Sequence, residues 1–501
     1  MIQKKVFVYF FVFPLILLTG FLLLAKGKPL GDFGNYYYGS KIWAEGKDLN
    51  HLYNDIHWFN EQIKTHGEKD FFENYRPVPP FSLVLYRPFT FLSSSTAKLL
   101  FNIISCIVFC FSLARVARLQ KWNYKYVLGI AILILPLYNN LAQGQSYLLI
   151  TAILFEIYIA YRRDNKWLIA FLIAFIFHLK LFPVFILGYF LFRKEYKIVL
   201  FSTLMIVGLT ALTILILGTG IVQNYFTEIA PRLMRNEIID PFYFGHQSIN
   251  IFLNDLFCYD AISNPDALIN NPYLVGVIEG IIVGFIIYFA YSLVSKSNEF
   301  VFYALFIFCG VLISRYVTSY FLFLLLPFAI SVIDYKRSNV IIIALLISCN
   351  IPLSFMEGMP LVLKYFRILL MLAVFVLVFF EFKPKLNYAI LLIIGIVFSG
   401  FNFFKNRRYE NHYYVTENKP GVLYGLRADI GSVVVKRCLG SRDFSDTIKF
   451  HVKINSVTPA LDIGNKNVIR AYRINDSILV YLSDFQQGIG MYKLRMKIDK
   501  R

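Results

Sequence analysis

Val6–Ala25 reads VFVYFFVFPLILLTGFLLLA, twenty residues without one charge. A hydrocarbon core about 30 Å thick needs about 20 apolar residues wound as a helix, and this run supplies them. Runs of similar length recur at Ile198–Gly218, Tyr273–Ser295, Leu361–Phe380 and Tyr388–Phe404. Inside lipid every backbone N–H and C=O must be paired within the protein, so only helices and closed barrels cross. A barrel would alternate apolar and polar residues over segments of about 10. These runs are unbroken, so the chain is read as an all-α polytopic membrane protein.

Composition agrees. The 501 residues are 57% hydrophobic, against about 45–50% in soluble domains, and 51 of them are Phe. Mean hydropathy is +0.58. The formal net charge of +19 would suggest nucleic acid in a soluble protein. Here the excess lies in short loops between apolar runs, where it reports topology and contact with anionic lipid. No nucleic-acid partner is expected. The six cysteines show no metal-ligand spacing, and four lie within apolar runs. No metal or cofactor is expected.

Basic loops set the orientation. With Lys4 and Lys5 in the cytoplasm, the alternating inner loops hold Arg115, Arg118, Lys121 and Lys125, then Arg162, Arg163 and Lys166, then Arg193, Lys194 and Lys197. Lys296, Lys336, Arg337, Lys383 and Lys385 continue the pattern. The first run is too long for a signal peptide, and no small-residue cleavage site follows, so it is read as an uncleaved span. Trp167–Phe192, interrupted at His178, Lys180 and Pro183, is read as two short spans meeting at an outer turn. The count is about 13 spans over residues 1–404. Two outer segments are long: Lys26–Ser95, with an interfacial or re-entrant piece at Phe81–Leu92, and Gly220–Pro272. Residues 405–501 are polar and turn-rich. Alternation at Thr447–Ile454, Val468–Ile474 and Met491–Ile498 predicts a small β-rich extracytoplasmic domain.

Several polar residues fall on the outer side under this topology. Asp32, in Gly31-Asp32-Phe33-Gly34-Asn35-Tyr36-Tyr37-Tyr38, is a general base at the membrane surface or a helix N-cap. Lys180 binds an anionic headgroup or snorkels to the interface. Arg76 and Arg87 pose the same choice, and Arg315 lies at an outer turn between apolar runs, followed by Tyr316 and Tyr320. His246 binds phosphate or moves a proton, or else Gln247 and Ser248 merely cap the following helix. Gln145, after Gly144, meets a sugar hydroxyl or satisfies a helix end. Random placement would divide these residues between the two faces, and they share one.

The same residues carry a family resemblance. Asp32-Phe33-Gly34-Asn35-Tyr36-Tyr37, the stretch Ala44–Tyr53, Tyr75–Phe81, Gly144-Gln145, Leu179-Lys180-Leu181-Phe182-Pro183 and His246-Gln247-Ser248 follow one another as weak motifs do in glycosyltransferase family 87. The chain resembles that family, polyprenyl-phosphate-sugar-dependent enzymes of the GT-C helical-bundle fold, over roughly residues 5–380. The resemblance implies Asp32 as catalytic base, with Lys180, Gln145, Gln247 and Ser248 lining the donor pocket. His246 stands where the family has Asn. Ser314-Arg315 replaces a Ser-Pro pair, and Tyr320 falls near a family His. Phosphate contacts are therefore expected from Lys180, His246, Arg76 and Arg315, and sugar contacts from Gln145, Gln247, Ser248, Tyr36 and Tyr37.

The expected function is an inverting glycosyltransferase at the outer face of the cytoplasmic membrane. It would move a mannose-like hexose from a polyprenyl-phosphate donor to a glycan or glycolipid acceptor. The alternative is a transporter or flippase of lipid-linked saccharides. That reading predicts ionisable residues near mid-membrane rather than charges gathered on one face.

Overall fold

The computed structural model describes residues 2–54, 56–68, 75, 77–181, 185–234, 242, 244–258, 264, 267–294, 298–356, 358–384, 393, 395–400, 467–474, 477–483 and 492–497. Four helices among these are long and apolar enough to cross a membrane: Lys5–Ala25, Ser94–Leu119, Tyr196–Leu217 and Tyr273–Ser292. Tyr124–Ala131 and Ile134–Gln143 would make a fifth span, bent by 58° at the break between them. Shorter apolar helices at Lys166–Leu179, Glu299–Ile313 and Ser338–Asn350 fill the bundle. At 1.5 Å per residue they are about 20–23 Å long, short of the hydrocarbon thickness. The chain is a helical membrane protein.

Exposure shows which solvent the bundle meets. Along Tyr196–Leu217 only Ile198, Ser202 and Thr213 are buried, while Leu200, Leu204, Val207 and Leu215 face outward. A helix apolar all round belongs in a hydrocarbon environment. Ser94–Leu119 is different. Lys98, Asn102 and Ser105 occur at i, i+4 and i+7 and are all buried, so this helix turns a polar stripe into the protein. Tyr147–Arg162 packs along it, and Lys166–Leu179 packs on Tyr196–Leu217.

The run Leu361–Phe380 is not one helix. Residues Leu361–Lys364 form a single turn, and Phe366–Phe382 restarts after Tyr365. Arg367 is fully buried at that restart. Its Nε donates to the Ser348 carbonyl (2.7 Å) and Nη2 to that of Ile351 (3.1 Å). It thereby satisfies carbonyls left open at the end of the Ser338–Asn350 helix. The run Tyr388–Phe404 lies mostly outside the described residues.

Two expectations about the remaining segments can be placed. The interfacial piece begins as a short helix, Phe81–Tyr86, and tightens into a 3₁₀ turn, Arg87–Phe91. It packs under a helix at Phe33–Ala44 whose residues 33–40 are all buried. Beyond residue 404 the description is limited to three strands: β1 (Asn467–Ile474), β2 (Ser477–Ser483) and β3 (Tyr492–Lys497). They form an antiparallel meander in that order. The expected domain boundary and Thr447–Ile454 lie outside the described residues.

Candidate active site

Two glycine turns make the site. The first precedes the Phe33–Ala44 helix. Gly31 has φ +59°, and an added Cβ would collide with the Gln143 side chain. The second ends the Ile134–Gln143 helix. Gly144 adopts the left-handed conformation (φ 63°, ψ 39°), and the Gln145 N–H returns to the Asn140 carbonyl (2.9 Å). A Cβ on Gly144 would lie 2.6 Å from Cβ of Phe33 and 3.3 Å from Cγ of Lys98. Both turns need glycine for conformation and for close approach. Their contact brings residue 32 to residue 145.

Asp32 occupies the N-cap position of its helix, yet its side chain makes no capping bond. It accepts a hydrogen bond from Nε2 of Gln145 instead. Gln145 is buried, and its Oε1 accepts from the Tyr36 hydroxyl (3.1 Å). The carboxamide is thus oriented from both ends. Tyr36 is fixed by stacking on Tyr86, centroids 4.7 Å apart and planes 11° apart. The Tyr320 hydroxyl also faces the Asp32 carboxylate. Tyr320 stacks on Tyr147 at 5.7 Å.

Lys180 closes the group. Its backbone is extended where the Lys166–Leu179 helix stops. Its ammonium lies 5.3 Å from the Tyr36 ring centre and 5.7 Å from that of Tyr147. No carboxylate of a described residue pairs with it. The neighbouring His178 is used structurally: Nδ1 meets the Ala174 carbonyl (2.8 Å) and Nε2 the Thr210 hydroxyl (3.0 Å). The cluster therefore joins a carboxylate, a carboxamide, three tyrosines and one ammonium.

The other predicted residues sit differently. Arg315 is committed to Glu279 of the Tyr273–Ser292 helix. Nε reaches Oε1 (3.1 Å), and Nη2 reaches Oε1 (3.0 Å) and Oε2 (2.8 Å). Asn250 donates to the same carboxylate (3.0 Å). His246 packs edge-on against Tyr316, and burial pushes its imidazole down to about 4. It is neutral at pH 7 and offers a hydrogen bond rather than a charge. The backbone N–H of Gln247 donates to Val317 (3.0 Å), three residues before Tyr320. Its side chain donates to the carbonyls of Phe244 (2.7 Å) and Lys364 (3.0 Å). Ser248 caps the Ile249–Phe257 helix by accepting from the Ile251 N–H (3.3 Å). Tyr37 spends its hydroxyl on the Leu92 carbonyl (2.8 Å). Arg76 lies outside the described residues.

Sequence reasoning passed over Lys98, Tyr147 and Glu279. Each is a polar or aromatic residue within an apolar run. For Lys98, the i, i+4, i+7 stripe with Asn102 and Ser105 was the available signal.

Residues 78–327 match the family model described as glycosyltransferase family 87. That span holds Gln145, Lys180, His246 and Arg315; Asp32 and Tyr36 precede it. Neither a curated protein nor a solved structure matches the chain. The chain belongs to glycosyltransferase family 87, and transfer of a glycosyl group is the chemistry its site must serve.

Proposed function

We propose that this protein transfers a mannose-like hexose, with inversion, from a polyprenyl-phosphate donor to a hydroxyl of a glycan or glycolipid acceptor. The observation that carries the reading is the freedom of Asp32 from its helix. Its carboxylate stands at a cap position but is turned onto Gln145, in the cluster that contains the ammonium of Lys180. Asp32 takes the acceptor proton as the acceptor oxygen bonds to the anomeric carbon. The bond from that carbon to the phosphate oxygen breaks, and its electron pair leaves on the polyprenyl phosphate. Lys180 stabilises the charge gathering there, where low dielectric strengthens the interaction. Gln145 holds Asp32, and Tyr36 and Tyr147 flank the ammonium.

Gln247 supports the same site through its backbone hydrogen bond to Val317, three residues before Tyr320, and His246 packs on the neighbouring Tyr316. Arg315 and Ser248 act on the fold around it. The loop charges support an active site and a tail outside the cytoplasmic membrane.

The test is transfer of label from polyprenyl-phosphate mannose in membranes carrying the full-length chain. Asp32→Asn should lower transfer by about 10²–10⁴-fold, the usual worth of a positioned general base, with the protein still expressed and folded. Undiminished transfer would remove Asp32 as the base.

A further inference from the structure

Lys98 sits in the second turn of the Ser94–Leu119 helix, 6% exposed, with no carboxylate of a described residue bonded to it. A buried lysine is costly unless its ammonium is satisfied. Here Nζ donates to two backbone carbonyls, Pro29 and Ala142, each at 2.6 Å. Those two carbonyls have a shared property. Pro29 lies three residues before Asp32, and Ala142 lies three residues before Gln145.

The ammonium therefore joins the two glycine turns from which the partners of the catalytic hydrogen bond project. Ala142 ends a helix, where open carbonyls and the dipole both favour a cation. Asn102, one turn along, donates to the adjacent Leu141 carbonyl (3.0 Å) and holds the same end. The stem of Lys98 lies against Gly144, where a Cβ would come within 3.3 Å of its Cγ. Its positive charge also acts on the Asp32 carboxylate.

We propose that Lys98 is a positioning residue for the transfer reaction, setting the alignment of Asp32 with Gln145 by tying the Pro29 and Ala142 carbonyls together. The inference rests on the role of Asp32 proposed above. Lys98 touches neither donor nor acceptor, so its loss should appear in turnover and leave donor binding alone.

The experiment measures transfer from polyprenyl-phosphate mannose by the full-length chain in membranes, with donor concentration varied. Lys98→Met keeps the apolar stem and removes both hydrogen bonds; kcat should fall at least tenfold while the donor KM stays within twofold. Lys98→Gln is one atom shorter and can reach one carbonyl, so its kcat should lie between the two. Wild-type kcat in folded Lys98→Met, or a fall matched by an equal rise in donor KM, would overturn the inference. Failure of both variants to fold would also overturn it, making Lys98 a structural residue only. Asp32→Asn is run alongside. If it stays active, the proposed base is wrong; if it is inactive while Lys98→Met turns over normally, only the positioning role is.

Discussion

Asp32 and Gln145, 113 residues apart in the chain, are joined by a hydrogen bond from the Gln145 carboxamide to the Asp32 carboxylate. The other end of that carboxamide accepts from Tyr36. A chain of three side chains therefore decides where the carboxylate points. Tyr36 and Asp32 lie one helical turn apart, so a single helix supplies both ends.

Tyr36→Phe should leave the stack on Tyr86 intact and release Gln145 from its orienting donor. One neutral hydrogen bond is worth about 0.5–1.5 kcal/mol, so kcat should fall roughly 3- to 10-fold. Gln145→Ala should cost more, because the carboxylate itself loses a partner. The double variant should cost less than the product of the two, since both act through one unit. Independent effects in such a cycle would show that the three side chains are not coupled.

Lys180→Ala removes the ammonium between Tyr36 and Tyr147. If it meets the leaving phosphate, kcat/KM for polyprenyl-phosphate mannose should drop about 10²–10³-fold, the range for one preorganised electrostatic group. Thermal unfolding should barely move, because no described carboxylate depends on this charge. A large loss of stability with modest loss of transfer would make Lys180 structural.

Arg315 should behave in the opposite way. Its pairing with Glu279 is buried, with side chains 13% and 5% exposed. Arg315→Ala leaves Glu279 charged and half-satisfied, which costs about 3–5 kcal/mol in such pairs. Arg315→Met combined with Glu279→Leu should recover much of that loss. Thermal unfolding in detergent measures both. A stable Arg315→Ala protein that has lost donor affinity would return Arg315 to the phosphate.

His246 makes a pH prediction. An imidazole is ordinarily half-protonated near 6.5. Burial holds this one near 4 in the fold, so the unfolded chain binds its proton more readily. Its contribution to stability is complete above about 6.5, declines as pH falls below that, and is gone below about 4. Wild-type protein should lose thermal stability on acidification more steeply than His246→Gln. Parallel slopes from pH 7 to pH 4 would show that His246 is not buried neutral.

The site was partly legible because its members break local rules. Lys180 interrupts an apolar run, and Gly144-Gln145 opens one, so both stood out. Asp32 preceding a helical stretch left base and cap as rival readings. The side chain makes no capping bond and turns to Gln145, a partner invisible in the local sequence. Arg315 shows the reverse. It stood out as a cation at a turn, but its partner Glu279 lies in an apolar run 36 residues earlier. Only the fold reveals that its charge is already matched.

The sequence determined the solvent. Twenty uncharged residues at Val6–Ala25 must be helical in lipid, because their backbone has no other partner there. It also supplied glycine at 31 and 144, where side chains would be excluded. The tertiary structure decided which charges remain available. Whether a carboxylate or ammonium is used by the fold depends on groups tens or hundreds of residues away, and local periodicity carries no record of them. Lys98 is held by two carbonyls and Arg315 by a carboxylate, while among the described residues Lys180 lies over the rings of Tyr36 and Tyr147 with no carboxylate partner. Those three environments arise from helix packing, and a run of apolar letters looks the same around each.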